Sequence, residues 1–241
     1  MLVSELEPMR DHWWLRPGWK VGRSFYTWHV TFADQPEAQQ LVEHYAPVLA
    51  KLPMLDPVPV EWLHLTLQGI GFTDELDRGD VDRIVVAAQK RCADLARFTV
   101  TIGSAHVDPE TTQMPARPLE PPAELRLVIR AAIGDVWGPE NVLELEEGFR
   151  AHLSLGYSNA AGPAEPVRDA LAAHPASTAE VTVASVSLID LNPRPQGVRV
   201  DGRRDRLAGR LADRAAGASR RLPPATSTRG QIASTLASDL H

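Results

Sequence analysis

The sequence predicts an α+β fold in which two similar halves form two antiparallel sheets facing a central cleft, with helices on the outside. Two observations predict it. Segments with strand and helix periodicity follow one another in the order β-α-β-α-β over about 25–107, and the same order returns over 111–191. In both halves the middle strand carries a histidine followed, two residues later, by threonine or serine.

Strand periodicity, the alternation of hydrophobic and polar residues, predicts strands in the first half at 25–32, 61–72 and 98–107. Apolar residues at helical spacing predict helices after Asp34 and at about 78–96. A proline-containing loop over 53–60 connects the first helix to the second strand.

The same patterns predict the second half, with strands near 111–119, at 148–157 and at 179–191. Helices are expected at about 121–136 and just after Pro166. The prolines in the first of these strands place it at a sheet edge, because proline cannot donate a ladder hydrogen bond.

Two flanking segments differ in composition from the domain, which spans 25–201. Residues 1–24 are rich in Trp, Arg, Pro and Gly and predict an irregular arm. Its tryptophans are expected to pack over the first half rather than to stack on nucleic-acid bases. Residues 202–241 predict a basic, mostly disordered tail, with room for a short helix at 203–216.

Charge is unevenly distributed along the chain. The formal net charge is −6, yet the segment from residue 202 onward has eight arginines and three aspartates. The rest of the chain is therefore strongly acidic and does not attract a long polyanion through its overall field. A small or short anionic substrate, held in one local pocket, fits this distribution better.

Composition also disfavours several classes of protein. The single cysteine, Cys92, excludes a disulfide framework and a multi-cysteine zinc site, and it indicates a reducing compartment. No apolar run approaches the ~20 residues that a membrane-spanning helix needs, and the N-terminus lacks the pattern of a secretory signal. We therefore expect a cytoplasmic, monomeric protein without a membrane partner.

The first motif lies in the strand predicted over 61–72. Alternation places Trp62, His64, Thr66 and Gln68 on one face of that strand, with a row of leucines on the other. The first face is predicted to line the cleft.

The second motif lies in the strand predicted over 148–157. Arg150, His152 and Ser154 share one face, opposite another leucine row. Regular alternation would place Tyr157 on the leucine side, although the glycine before it can break the pattern, and Tyr157 is a further candidate for binding substrate.

A third histidine with a similar context, His29, lies in the strand over 25–32. It shares the polar face of that strand with Thr27 and Thr31. Its counterpart in the second half falls near 111–119, where no histidine occurs. We therefore predict that His29 lines the cleft and contacts substrate, while the other two histidines act as the working pair.

Two such histidine and hydroxyl pairs suit chemistry at phosphorus. Imidazoles titrate near neutral pH, so one can act as a base while the other acts as an acid. Hydroxyls can donate hydrogen bonds to the non-bridging oxygens of a phosphate held between them. A metal centre is the weaker alternative, because it would want a third ligand from an acidic, His or Cys residue near the pair. We expect no metal and no cofactor.

The sequence resembles the 2H phosphoesterase superfamily, in particular its bacterial 2′-5′ RNA ligase-like branch. The resemblance is carried by the motifs "HLTL" at 64–67 and "HLSL" at 152–155, on equivalent strands of a duplicated α+β fold. The resemblance covers roughly 20–195. It implies a bilobal fold and metal-independent action on 2′,3′-cyclic or 2′,5′-linked phosphates.

Carried over to this sequence, the resemblance makes His64 and His152 the catalytic acid and base, with Thr66 and Ser154 holding the phosphate. The preferred assignment has His152 as the base and His64 as the acid. The expected partner is a cyclic nucleotide or an RNA with a 2′,3′-cyclic phosphate end. Trp62 is the candidate for stacking on a base.

The sequence departs from the family at Tyr157, where ligase-type members carry an arginine. Arg150 is the candidate for supplying that charge, and Gln68 is a further candidate for a base-edge or ribose contact. Because of this departure, hydrolysis of a 2′,3′-cyclic phosphate is the leading hypothesis. The alternatives are 2′-5′ RNA ligation or 2′,5′-phosphodiester cleavage, and a non-catalytic module that binds nucleotide or RNA.

Overall fold

A computed structural model describes residues 7–14, 16–191 and 203–212. Within them the strands are β1 (Phe25–Thr31), β2 (Leu55–Pro57), β3 (His64–Phe72), β4 (Phe98–Ile102), β5 (His106–Asp108), β6 (Thr111–Arg117), β7 (His152–Ser158), β8 (Ala179–Val183), β9 (Ser185–Leu191) and β10 (Arg203–Arg210). The helices are α1 (Pro36–Leu49), α2 (Arg78–Cys92), α3 (Glu120–Trp137) and α4 (Glu165–Ala173). Short 3₁₀ turns occur at Val60–Trp62 and Pro139–Asn141.

The strands form two antiparallel sheets. The first has the order β10-β9-β1-β3, and the second has the order β2-β7-β6-β4-β8, with β5 paired to β6. This arrangement, with helices packed on the sheets, confirms the predicted α+β fold with two lobes.

Each sheet contains an equivalent unit of three strands. Each half of the chain contributes strands to both units. The unit β9-β1-β3 of the first sheet corresponds to β4-β6-β7 of the second. In each unit, the strand next to the motif strand precedes it in its own half. The outer strand comes from the other half: β9 from the second half and β4 from the first.

Packing of the apolar rows brings the two motif strands together. α3 contacts β3 and α2, while α1 contacts β7 and β8. Leu65 and Leu153, next to the two motif histidines, are fully buried. β3 of the first sheet also contacts β7 of the second. The two motifs therefore lie where the lobes meet.

Both predicted motif strands begin later than alternation suggested. The Val60–Trp62 turn closes with Leu63 N donating to Val60 O at 3.2 Å, so the ladder starts at His64. In the second motif strand the ladder starts at His152, and upstream of it Arg126 on α3 donates to Leu145 O at 2.8 Å and to Glu146 O at 3.0 Å.

Other predicted elements are divided or displaced. The strand predicted at 179–191 breaks at Ala184 into β8 and β9, which join different sheets. The strand predicted at 98–107 divides into β4 and β5, and β2 forms inside the predicted loop. β6 is not the predicted edge strand, since it lies between β7 and β4. The proline at 115 lies just beyond the end of the β4 ladder, where its missing N–H is not needed for pairing, and its carbonyl accepts from Gly103 N at 2.7 Å.

The predicted disorder or helix at the start of the tail is wrong. Residues 203–210 form β10, which pairs antiparallel with β9 and completes the first sheet. Gly209 makes this possible, because a Cβ there would lie 3.0 Å from Cys92 Cβ on α2. Leu211 is then buried just beyond the strand. The rest of the predicted tail lies outside the described residues.

Candidate active site

The two motif histidines are held by the same backbone device. Nδ1 of His64 donates to the Trp62 carbonyl at 2.7 Å, and Nδ1 of His152 donates to the Arg150 carbonyl at 2.8 Å. A carbonyl oxygen can only accept, so each bond places a proton on Nδ1 and makes Nε2 the atom that exchanges protons. The two motif histidines therefore share the same tautomer as well as the same position in the repeat.

Each motif strand also has a β-bulge directly after its hydroxyl residue. In β3, Thr66 faces His29 on β1 and Gln68 faces the preceding residue Trp28, so Leu67 has no opposite partner. In β7, residues 154 and 156 face successive residues of β6, which leaves Leu155 unpaired in the same way. A bulge shifts the alternation of faces by one residue.

The bulge overturns the predicted position of Gln68. Its side chain is fully buried and points towards α3, with Nε2 donating to Leu143 O at 2.7 Å. Its Oε1 accepts from Arg130 Nη1 at 2.9 Å. Gln68 is therefore part of a buried network on the helix side, and not a neighbour of His64 and Thr66 on the motif face.

The corresponding bulge in β7 moves Tyr157 onto the motif face. A regular strand would have placed it with the leucines, yet its side chain lies near that of Ser154. Burial raises the pKa of Tyr157. The side chain is therefore a neutral phenol that can donate as well as accept.

His29 contacts both members of the first motif. Its ring stacks on the ring of His64, with centroids 4.2 Å apart and planes 6° from parallel. Its Nε2 lies 3.4 Å from Thr66 Oγ1. Burial, and then the neighbouring His64, lower the pKa of His29 well below its usual value, so this imidazole is neutral at neutral pH.

The register of the second sheet identifies a counterpart of His29 that a search for histidines misses. Gln113 faces Ser154 as His29 faces Thr66. Its side chain is buried and donates to Asp108 at 3.1 Å. The only available sequence signal was its position in the equivalent strand of the repeat.

The remaining predicted site residues flank the motifs. Trp62 lies in the 3₁₀ turn before β3, partly buried against the core. Arg150 lies exposed just before β7. Burial lowers the pKa of His106 on β5, Asp108 and the Ser104 backbone oppose this in part, and the positive charge of Arg150 makes the smallest contribution, which also lowers it. The sequence had assigned His106 no role.

Burial also lowers the pKa of His64, and the bond to the Trp62 carbonyl opposes this only in part. His64 therefore favours its neutral form, with the lone pair on Nε2. Among the described residues, no group of three or more His, Cys, Asp or Glu side chains could hold a metal ion. No helix in the described part of the chain is long and apolar enough to cross a membrane.

Comparisons with known proteins agree with this geometry. A sequence model of the 2′-5′ RNA ligase superfamily matches residues 34–194, while a search of curated proteins finds no match. Among solved structures, TT0787 of Thermus thermophilus is similar with a TM-score of 0.58 and 17% identity, over 74% of this chain and 94% of that one.

E. coli LigT complexed with 3′-AMP is similar with a TM-score of 0.52 and 16% identity, over 75% of this chain and 94% of that one. A structure described as a phosphoesterase gives 0.51 and 16%, over 75% and 95%. At these identities the solved structures show a shared fold. Together with the match over most of the sequence, they show that the chain belongs to the 2′-5′ RNA ligase superfamily, a group of 2H phosphoesterases.

Proposed function

We propose that the protein is a metal-independent phosphodiesterase that opens a 2′,3′-cyclic phosphate, on a nucleotide or at an RNA end. The observation that carries the proposal is the duplicated device: two histidines with protonated Nδ1 and a hydroxyl beside each, on contacting strands of two sheets. The nucleotide in the LigT complex supports a nucleotide-sized substrate.

The reaction follows from the atoms that these residues present. One neutral histidine accepts a proton at Nε2 from water as the water oxygen attacks phosphorus. The bond from phosphorus to one ribose oxygen then breaks, and that oxygen takes a proton from Nε2 of the other histidine. Thr66 and Ser154 donate to the non-bridging oxygens, where negative charge increases in the transition state.

We assign the base role to His64, which reverses the preference drawn from the sequence. Its lowered pKa keeps it neutral before substrate binds, and a base must begin neutral. On this assignment kcat/KM stays high as pH falls below the ordinary imidazole value of about 6.5 and declines only through the lowered pKa of His64. If kcat/KM instead declined with an apparent pKa at or above the ordinary imidazole value, the assignment would be contradicted.

The proposed reaction is tested by incubating the full chain with adenosine 2′,3′-cyclic phosphate in the presence of EDTA and identifying the product by mass. We expect the cyclic phosphate to gain one water and become a monophosphate. The double variant His64→Ala/His152→Ala should form no product. His174→Ala, in which the altered histidine lies after α4 and bonds the His44 carbonyl, is the matched control and should keep full activity.

Ligation is a second candidate because the matching family model is named for RNA ligases. RNA halves with 2′,3′-cyclic phosphate and 5′-hydroxyl ends would give a joined, 2′,5′-linked product if the chain were a ligase. Tight binding of the cyclic nucleotide without product after long incubation would instead indicate a binding module and would overturn the enzymatic proposal.

A further inference from the structure

The N-terminal arm, residues 7–24, lies outside the span that matches the family model. Part of it runs along the second lobe beside the end of β7. Met9 exchanges backbone hydrogen bonds with Gly162 at 2.8 and 3.1 Å, and His12 N donates to Ser158 O at 2.8 Å. Arg10 N donates to Pro109 O at 2.7 Å, in the turn before β6. The arm is therefore fixed to the lobe through its backbone.

A buried carboxylate anchors the side chains of the same arm. Glu110, which is 7% exposed, accepts hydrogen bonds from Arg16 and from His12 Nδ1, the latter at 3.3 Å. Arg10 lies 3.8 Å from its other oxygen. A buried carboxylate without these partners would be costly, so the cluster favours one fixed position of the arm.

His12 and Trp13 enclose the ring of Tyr157. His12 stacks on it with centroids 4.2 Å apart and planes at 19°, and Trp13 meets it edge-on at 5.4 Å. Trp13 Nε1 also donates to Asp56 at 2.8 Å, and Asp56 faces Tyr157 across β2 and β7. This contact corrects the expectation for Trp13, which packs on the second lobe. Trp19 packs on Phe72 of the first lobe, as predicted.

We propose that this arm is part of the active site: His12 and Trp13 are positioning residues that hold the Tyr157 hydroxyl against Ser154. Tyr157 then donates to Ser154 Oγ, and the single proton of Ser154 turns towards the phosphate. The proposal rests on the proposed function, since it gives the orientation of a hydroxyl that binds the scissile phosphate.

The first lobe shows why the second needs such a device. A serine or threonine hydroxyl rotates freely and has one proton, so a neighbour that donates to its oxygen directs that proton elsewhere. Thr66 has the His29 imidazole beside it. The residue three places after Thr66 is Gly69, without a side chain, whereas the residue three places after Ser154 is Tyr157. Gln113, the counterpart of His29, bonds Asp108.

The test measures kcat and KM on adenosine 2′,3′-cyclic phosphate with the full chain. Tyr157→Phe keeps the ring between His12 and Trp13 and removes only the hydroxyl, and we expect kcat/KM to fall by roughly 3- to 10-fold, the range for one neutral hydrogen bond. In His12→Ala, kcat/KM should fall by a similar factor. His12→Phe, which preserves the stacked ring, should recover most of the loss.

The double variant His12→Ala/Tyr157→Phe separates positioning from a general structural role. If His12 acts through the Tyr157 hydroxyl, the double variant is no slower than Tyr157→Phe alone. Lys20→Ala is the matched control in the same arm, because its exposed side chain pairs with Asp74 at 4.0 Å and lies away from Tyr157, and the rate of this variant should not change. If kcat/KM of the double variant fell by the product of the two single-variant factors, the proposal would be overturned. Full activity in both single variants would also overturn it.

The same variants separate this proposal from the function on which it rests. If the wild-type chain shows no turnover, the proposed function fails, and calorimetric titration with inorganic phosphate takes the place of kinetics. Weaker phosphate binding in both Tyr157→Phe and His12→Ala than in Lys20→Ala would still support the positioning role. Equal affinities, or no phosphate binding by the wild type, would overturn it.

Discussion

The motif strands β3 and β7 share one backbone geometry but differ in what supports it. Each histidine bonds the carbonyl two residues before it, and each strand bulges directly after its hydroxyl residue. In the first lobe the support comes from the neighbouring strand, through His29. In the second lobe it comes through Tyr157 from an arm outside the family match.

This difference shows which part of a duplicated site is constrained by chemistry. The tautomer of the histidine and the face of the hydroxyl are fixed by the backbone of the motif strand itself, and they are the same in both lobes. The groups that fill the space around each hydroxyl are set by neighbouring elements, which differ.

The largest effect is expected from the histidines taken singly. His64→Ala and His152→Ala should each lower kcat by about 10²- to 10⁴-fold, the usual contribution of a general acid or base. Comparable losses would show that both lobes take part in the same step. Single-turnover rates on the cyclic nucleotide provide the measurement. Near wild-type activity in either variant would show that one lobe only binds.

The hydroxyls should have a smaller and matched effect. Thr66→Val and Ser154→Ala each remove one donor to a charged phosphate, worth about 1.5–3 kcal/mol, or roughly 10- to 150-fold in kcat/KM. Both variants should retain the wild-type melting temperature within a few degrees. A loss confined to Ser154→Ala would mean that only the second lobe holds the phosphate.

Gln68 should matter for stability and not for substrate. Gln68→Leu removes one acceptor of Arg130 and the bond that Gln68 Nε2 donates to Leu143 O in a buried network, and we expect the free energy of unfolding to fall by about 1–3 kcal/mol. KM for the cyclic nucleotide should not change, because the bulge turns this side chain towards α3. Urea denaturation and steady-state kinetics on the same preparation check both. An increased KM with unchanged stability would restore Gln68 as a substrate contact.

The smallest effect is the acid sensitivity caused by His29. Its folded-state pKa is lowered, so below about pH 6.5 the unfolded chain binds a proton that the folded chain does not. Stability is therefore full above that pH and falls by about 1.4 kcal/mol per pH unit as pH decreases towards the folded-state pKa. In His29→Gln, which introduces the residue type of its counterpart Gln113, this slope should become shallower, and the part that remains comes from other histidines with lowered pKa values, such as His64. An unchanged slope would assign the acid sensitivity to another group.

Much of the fold and the core of the site could be predicted because they depend on local periodicity. Leucine rows at period two identified the motif strands, and the repeated order of elements paired His64 with His152. The bulges could not be predicted, because they depend on the register between strands that are far apart in sequence. One extra residue in each strand was enough to misplace Gln68 and Tyr157.

Features that need a distant partner were also missed. Residues 203–210 have the composition of a solvated tail, and they form a strand only because β9 offers an open edge. Gln113 has no chemical resemblance to His29, so only strand pairing reveals that they correspond. The contact between His12 and Tyr157 joins residues that are more than half the chain apart.

The exchange of β4 and β9 between the lobes has a consequence for how such a fold arises. A half-repeat expressed alone would leave unpaired strand edges and half of the proposed phosphate site, so it would lack both a finished sheet and the second histidine of the proposed acid and base pair. Two identical copies could supply each other's missing strand across a twofold axis, as domain-swapped dimers do. That axis would pass between two identical histidines. Fusing the copies into one chain would then free each lobe to change its supports, as His29 and the arm of this protein have done.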